Sequence, residues 1–136
     1  MILVCEKVKI CNPMDSFRLL RKQLLSEDVV EQDKEHFWAF GLDGSHTIKY
    51  LDLVTLGIVD QTLVHPREVF CRAIRRRCSA LIVAHNHPSN QLEPSKDDIA
   101  LTQQLRVAGD IIGISVLDHV IVTKCGYYSF AEKGTL

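Results

Sequence analysis

Three side chains that can act as metal ligands lie close together in the middle of the chain. His85 and His87 are two residues apart, and Asp98 follows eleven residues after His87. The apolar run 80–84 precedes His85 and predicts a strand, which ends before Pro88. Because side chains alternate along a strand, both imidazoles are expected on one face at its exit. Two imidazole nitrogens and a carboxylate oxygen are three of the four ligands of a tetrahedral catalytic zinc ion, and water takes the fourth position.

The carboxylate also fits a structural role. Ser95-x-x-Asp98 before an apolar run is typical of a helix capping box, with Ser95 as the N-cap residue. The two roles are compatible, because the helix dipole favours an ionised carboxylate in the first turn, and a metal needs the ionised form. The pattern therefore predicts a hydrolytic metal site at the start of a helix.

These residues carry a family resemblance. The pattern His85-x-His87-Pro with Ser95-x-x-Asp98 resembles the JAMM (MPN+) metalloprotease motif. Further similarity is to the RadC-like branch, and it covers roughly residue 12 to the end through the segments 64–70, 85–89, 94–102 and 117–121. Asn90 departs from the glycine that is usual in this branch after His-Pro-Ser. The sequence also lacks the N-terminal helical region of full-length RadC-like proteins, so we expect either a short form or a piece of a longer protein.

The resemblance adds a catalytic glutamate on another strand, and the matching position is Glu35. Alternation along the strand predicted at 33–42 places Glu35 and Phe37 on one face. Without the resemblance, Glu35 better fits an exposed residue at the beginning of a strand. The rival carboxylate Glu68 is expected in the first turn of the helix that Pro66 opens.

The resemblance implies a zinc-dependent hydrolase of peptide or isopeptide bonds, with one zinc ion per chain and a peptide or protein as substrate. Glu35 is then the general base toward a water molecule that zinc activates, and the Ser95 hydroxyl stabilises the oxyanion. The alternative is a DNA repair or nucleic-acid maintenance factor, because the branch is historically associated with DNA repair. A metal-free interaction module is disfavoured, since every ligand position is filled. A zinc deaminase is disfavoured because no His-x-Glu occurs with Pro-Cys-x-x-Cys.

Composition narrows the setting. The chain has 136 residues, of which 46% are hydrophobic, and this suits one compact domain over residues 1–136. Its net charge of −1 gives no global basic field, so nucleic-acid binding is unlikely on charge alone. No apolar span suits a membrane, and the five cysteines form no C-x-x-C pair. We therefore expect a cytoplasmic protein that does not bind membranes.

Helices and strands are expected to alternate along the chain without a repeat or linker. In chain order the predicted elements are a helix capped by Asn12, strands at 33–42 and 47–54 joined by an Asp43-Gly44 turn, a possible strand at 58–64, a helix after Pro66, the strand that ends at His85, a helix from Ser95 to about Ala108, and strands at 114–123 and 127–130. Hairpins mixed with helical crossovers predict an α/β fold in which helices cover a mixed β-sheet. The resemblance implies an MPN/JAB domain related to the cytidine deaminase-like architecture.

Several other polar residues need an interpretation. Asp118 and His119 lie inside a predicted apolar strand and need hydrogen-bond partners. Either residue is a candidate for orienting a ligand imidazole, and ordinary polarity at a strand end is the alternative. Three lone histidines are expected in surface or loop positions: His36, His46 and His65. The run 75–77, three arginines, is expected on a solvated helix face rather than at a phosphate.

Overall fold

A five-stranded mixed sheet organises the molecule. The computed structural model describes residues 7–57 and 64–136, and its strands are arranged in the order β2-β1-β3-β4-β5. The strands are β1 (Glu35–Leu42), β2 (Ile48–Gly57), β3 (Ala80–Asn86), β4 (Ser115–Val122) and β5 (Tyr127–Ser129). β3 and β4 are parallel, and the other neighbouring pairs are antiparallel. The predicted α/β fold with a mixed sheet is confirmed.

Helices cover both faces of this sheet. They are α1 (Pro13–Leu25), the short α2 (Val29–Gln32), α3 (Pro66–Arg75) and α4 (Lys96–Ile112). Leu20 and Leu24 of α1 pack in a core on one face, whereas Val69 of α3 and Leu105 of α4 pack in a core on the other. Because both faces are covered, the central strands bury side chains in both directions. Within the described ranges, no helix is long and apolar enough to cross a membrane.

Strand β1 follows the predicted alternation. Phe37 and Ala39 belong to the core beneath α3 and α4, and Trp38 and Phe40 belong to the core beneath α1. Packing explains the glycine at position 41 of β1, because a Cβ atom on Gly41 would lie 2.3 Å from the Tyr50 ring. Successive side chains of β1 therefore lie in the two hydrophobic cores on opposite faces of the sheet.

The predicted caps explain where the main helices begin. The side chain of Asn12 accepts a hydrogen bond from the Asp15 amide at the start of α1. Glu68 lies in the first turn of α3, as expected, and His65 is the N-cap of that helix. α4 extends four residues past the predicted end at Ala108 and stops where Gly113 adopts a left-handed conformation with φ of 87°.

Some local expectations differ from the structure. The possible strand at 58–64 lies outside the described residues except for Val64, which is not in a strand. The single-turn helix α2 was not predicted, because four residues carry no periodic pattern. The Asp43-Gly44 hairpin is confirmed, but its positive φ falls on His46 rather than Gly44.

Candidate metal centre

The end of β3 and the beginning of α4 bring the three predicted ligands together. His85 is the penultimate residue of β3, and His87 follows the strand directly. Two hydrogen bonds hold the turn, from the His87 amide to the Val122 carbonyl and from the Asn90 amide to the His87 carbonyl. Asn90 has φ of 64°, a left-handed conformation that asparagine tolerates better than most residues. The departure from glycine at this position is therefore compatible with the turn.

The ligand atoms of His85, His87 and Asp98 converge on one point. Nε2 of His85 lies 2.9 Å from Nε2 of His87 and 3.3 Å from Oδ1 of Asp98. Nε2 of His87 lies 3.2 Å from Oδ2 of Asp98. One atom from each residue lies within 4.8 Å of the other two, a spacing at which the group can hold a metal ion.

Hydrogen bonds on the far side of His87 orient its ring. Nδ1 lies 2.6 Å from the carbonyl oxygen of Gln91. A carbonyl can only accept, so Nδ1 carries a proton, and neutral His87 presents an unprotonated Nε2 toward the centre. This is the tautomer that a metal requires.

The contacts between Asp98 and the two imidazoles also change the pKa values of Asp98 and His87. Burial opposes ionisation of both Asp98 and His87, but their mutual contacts outweigh it. The pKa of Asp98 is held well below its usual range by its contacts with His85 and His87, and the pKa of His87 is raised by its contacts with Asp98 and the Gln91 carbonyl. Asp98 is therefore an anionic group facing two imidazoles.

The capping box predicted at α4 is present. The Ser95 hydroxyl oxygen accepts a hydrogen bond of 3.0 Å from the Asp98 amide, and Oδ2 of Asp98 accepts one of 2.9 Å from the Ser95 amide. The cap fixes the Asp98 carboxylate beside the imidazoles and leaves the Ser95 side chain exposed at the rim of the centre. One hydrogen-bond motif thus starts the helix and places a ligand.

Glu35 lies on the neighbouring strand β1, on the face that contacts His85. Phe37 pairs with His85 in the antiparallel β1–β3 ladder, and Phe37 stacks on His85 with ring centroids 6.1 Å apart. Glu35 precedes Phe37 by two residues in β1 and lies on the same face. Because β1 and β3 are antiparallel, this displacement is in the direction of His87. Its charge is close enough to contribute to the raised pKa of His87.

Asp118 and His119 point to opposite faces of β4 and have different partners. Nε2 of His119 lies 2.7 Å from Nδ1 of His85, so His119 contacts a candidate ligand directly. Burial lowers the pKa of His119 well below its ordinary value. Asp118 instead accepts hydrogen bonds from the Ser129 hydroxyl and the Ala131 amide near the C-terminus. Of the two candidates, the structure places only His119 against a ligand imidazole.

Sequence reasoning missed one residue in this region. The Thr102 hydroxyl lies 2.6 Å from Nδ1 of His119 and 2.7 Å from the Asp98 carbonyl oxygen. Thr102 is one helical turn after Asp98 on the buried side of α4. That spacing was visible in the sequence, but the contact with β4 depends on tertiary packing.

The expectation for His36 is wrong. Its ring is fully buried, with Nε2 2.6 Å from a carboxylate oxygen of Glu27 and Nδ1 2.8 Å from the Lys34 carbonyl. Glu27 lies in the connection after α1, so no short spacing in the sequence indicated the pair. His46 and His65 are exposed, as predicted.

Of the three arginines expected on a solvated helix, only the first lies in the helix. α3 ends at Arg75, Arg76 is its C-cap, and Arg77 has φ of 53°. The Arg76 guanidinium donates to the Lys49 carbonyl, and the Lys49 ammonium donates to the Arg76 carbonyl. Arg76 therefore belongs to the contact between the end of α3 and β2, whereas Arg75 and Arg77 are exposed.

Comparisons with known proteins agree with this architecture. A family model described as the RadC-like JAB domain matches residues 10–135. A UPF0758 protein of Pelobacter propionicus is 46% identical over 103 residues, which cover 76% of the chain and 45% of that relative. A UPF0758 protein of Clostridium botulinum is 38% identical over 131 residues, 96% of the chain and 55% of the relative. The chain spans about half the length of the curated relatives it matches, and it belongs to the RadC-like JAB domain family.

Proposed function

We propose that the chain is a zinc-dependent hydrolase of peptide or isopeptide bonds, with one zinc ion per chain. The observation that carries this proposal is the convergence of two imidazole nitrogens and one carboxylate at the end of β3. Such a set is typical of catalytic zinc, which keeps one position open for a reactant. Magnesium and calcium prefer oxygen ligands throughout, so the two nitrogens favour a transition metal.

The ligand atoms are suited to a cation. Neutral His87 directs a lone pair, not a proton, toward the other two ligands, because its single proton stays on Nδ1 and is donated in a hydrogen bond to the Gln91 carbonyl. Asp98 supplies a negative charge that the capping box holds in place. Lone pairs and a negative charge at one point repel each other unless a proton or a cation lies between them.

Each further residue has a role in hydrolysis. A bound zinc ion supplies Lewis acidity, which lowers the pKa of water and polarises a carbonyl group. Glu35 takes a proton from the attacking water and returns it to the leaving amine. The Ser95 hydroxyl donates to the oxyanion that develops on the carbonyl oxygen. Its two tasks are compatible, because Ser95 caps α4 with its oxygen as acceptor and retains its own proton as a donor.

The DNA alternative has less support from the described residues. Arg72 and Arg76 lie in a cavity of about 320 Å³ beside α3, but Asp52 and Glu68 line the same cavity. The Arg72 guanidinium is 3.1 Å from the Asp52 carboxylate, so part of its charge is compensated. A surface for nucleic acid needs a concentration of uncompensated cations. We therefore rank hydrolysis above DNA binding.

The cytoplasm remains the proposed compartment, because the cysteines form no pattern typical of a disulfide framework.

Zinc content and amide hydrolysis, measured together, test the proposal. Protein purified without chelator should carry close to one zinc by elemental analysis, and a Cys71→Ser control should carry the same. The zinc-loaded protein should cleave a library of internally quenched peptides and a Lys-ε-linked isopeptide probe. Chelation of the zinc should abolish cleavage, and added zinc should restore it. Zinc below about 0.3 equivalents that added zinc does not restore would refute the metal site. Full zinc occupancy without cleavage of either probe would refute the hydrolase.

A further inference from the structure

Three buried side chains from different elements form a continuous chain of contacts behind the metal centre. Thr102 on α4 contacts His119 on β4, and His119 contacts His85 on β3. All three are at most 2% exposed. The contact distances are 2.7 Å from the Asp98 carbonyl to Thr102, 2.6 Å from Thr102 to His119 and 2.7 Å from His119 to His85. Each distance is short enough to require a hydrogen between the two heavy atoms.

The chemistry of the first contact sets the direction of all of them. The Asp98 carbonyl can only accept, so the single Thr102 hydroxyl proton points to it. The Thr102 oxygen must then accept from Nδ1–H of His119. Neutral His119 has no second proton, so its Nε2 accepts from Nδ1–H of His85. This is the one assignment for neutral rings that places a hydrogen in every contact.

The His119 ring is expected to be neutral. His119 is fully buried and stacks on Phe130 with centroids 4.8 Å apart, while the Phe37 ring meets its edge. An imidazolium in such surroundings loses its hydration, and this loss strongly disfavours the charged form. A His85 ring with its single proton on Nδ1 has a lone pair on Nε2, which is the atom that faces His87 and Asp98.

We propose that Thr102 is a positioning residue that acts through His119 to fix the tautomer of His85, and so presents Nε2 of His85 to the metal. This rests on the proposed metal site. The tautomer of His87 is fixed by a backbone carbonyl, which no side-chain substitution removes. The tautomer of His85 depends instead on the side-chain contacts from Thr102 through His119, which we call the relay. The relay also ends on the backbone of Asp98, so it ties the ligand on β3 to the helical turn that carries the third ligand.

Removing one hydroxyl tests the relay. Thr102→Val keeps the side-chain shape, but Nδ1 of His119 then loses its acceptor. The His119 proton should move to Nε2, and His85 should follow with its proton on Nε2. We expect zinc affinity to fall by about 10- to 100-fold, the usual effect of losing a group that orients a ligand. Thr102→Ser retains the hydroxyl and should restore affinity to within a few-fold of the wild type.

The control is Thr123→Val, which removes another buried hydroxyl that donates to the Gly126 carbonyl at the end of β4. It should cost stability and leave zinc affinity unchanged. Equal zinc affinity in wild type and Thr102→Val would overturn the relay, and so would an equal loss in Thr102→Val and Thr102→Ser. These comparisons use competition with a chelator of known affinity, so they do not depend on hydrolysis.

Histidine tautomers give a second test that needs no variant and no metal. Long-range ¹H–¹⁵N correlation spectra of the metal-free chain should show the proton of His85 and of His119 on Nδ1. A wild-type ring that carries its proton on Nε2 and none on Nδ1 would contradict the relay even if Thr102→Val fails to fold. A wild type that binds no zinc, with both rings protonated on Nδ1, would refute the proposed metal site and retain the relay as a structural network.

Discussion

His36 and the pair of His85 and His87 lie at the same end of the sheet, on its opposite faces, and their ring nitrogens face different partners. His36 faces the α1 side, where its two nitrogens meet separate oxygen acceptors, Glu27 and the Lys34 carbonyl. On the other face, Nε2 of His85 and Nε2 of His87 approach each other and Asp98. Burial and a nearby carboxylate are common to both. What distinguishes a candidate metal centre is that its lone pairs converge on a single point.

The largest expected contrast is in metal content. His87→Gln removes a ligand nitrogen, so the protein should lose zinc almost completely. His36→Gln removes an imidazole that is equally close to a carboxylate, and zinc should stay near one equivalent. This second change should instead lower the free energy of unfolding by about 1–3 kcal/mol, because the Glu27 carboxylate and the Lys34 carbonyl lose their partner.

Elemental analysis and urea unfolding of both variants measure the two effects. Zinc loss in His36→Gln, with the fold retained, would mean that the two faces are coupled. Retained zinc in His87→Gln would remove His87 from the ligand set.

Neighbouring residues on β1 allow a finer comparison. Glu35 faces the His85 side and His36 the other, so substitutions one residue apart should affect different properties. Glu35→Gln cannot accept a proton, and turnover of a cleavable amide should fall by about two to four orders of magnitude. Because a general base contacts water and not the metal, zinc should remain bound. Wild-type turnover would exclude Glu35 from the mechanism, whereas loss of zinc would make it a ligand.

The two histidine groups also show how far sequence can be read. The convergence of His85, His87 and Asp98 was predictable because the strand period and the capping box are local rules, and both hold here. The fold class followed from local patterns in the same way. The burial of His36 was missed because its partner Glu27 is nine residues away in a connection without periodicity.

Thr102 was missed for a similar reason. Its position one turn after Asp98 was visible, but its contact with His119 exists only once α4 packs on β4. Asp118 and His119 were both candidates because sequence gives their alternation and not which face carries the centre. Predictions therefore succeeded where one element decides, and failed where two elements must first be docked.

The capping serine permits a smaller test with a matched control. Ser95→Ala should cost about 1 kcal/mol of stability through the lost cap. It should also lower turnover by about two to three orders of magnitude if the hydroxyl stabilises the oxyanion. Asn12→Ala removes the cap of α1, on the other face of the sheet, at a similar stability cost.

Urea unfolding and amide turnover measured on both variants separate the two roles of Ser95. Turnover should be unchanged in Asn12→Ala. If turnover falls equally in the two variants, the effect of Ser95 is one of stability alone.

The smallest expected effect concerns pH and the pair Asp118 and His119. Burial raises the pKa of Asp118 above its ordinary value, although three hydrogen bonds to its carboxylate oppose this. The folded state thus favours the protonated acid, a contribution that is full below the unfolded pKa and is lost as pH rises through the folded pKa. Asp118→Asn cannot ionise, and its Oδ1 can still accept from the His119 and Ala131 amides. Its stability relative to wild type should therefore improve as pH rises from about 4 to 7.

Urea midpoints of the metal-free proteins at both pH values measure this difference, and parallel profiles would contradict it. Zinc affinity at pH 7 should be the same in Asp118→Asn and wild type, because Asp118 faces away from His85 and bonds the C-terminal turn. His119→Gln is the matched change on the neighbouring residue, and it should weaken zinc binding by about 10-fold or more, because His85 loses its acceptor. Equal zinc affinities in these two variants would mean that the face of β4 on which a polar residue lies does not decide its role at the metal centre.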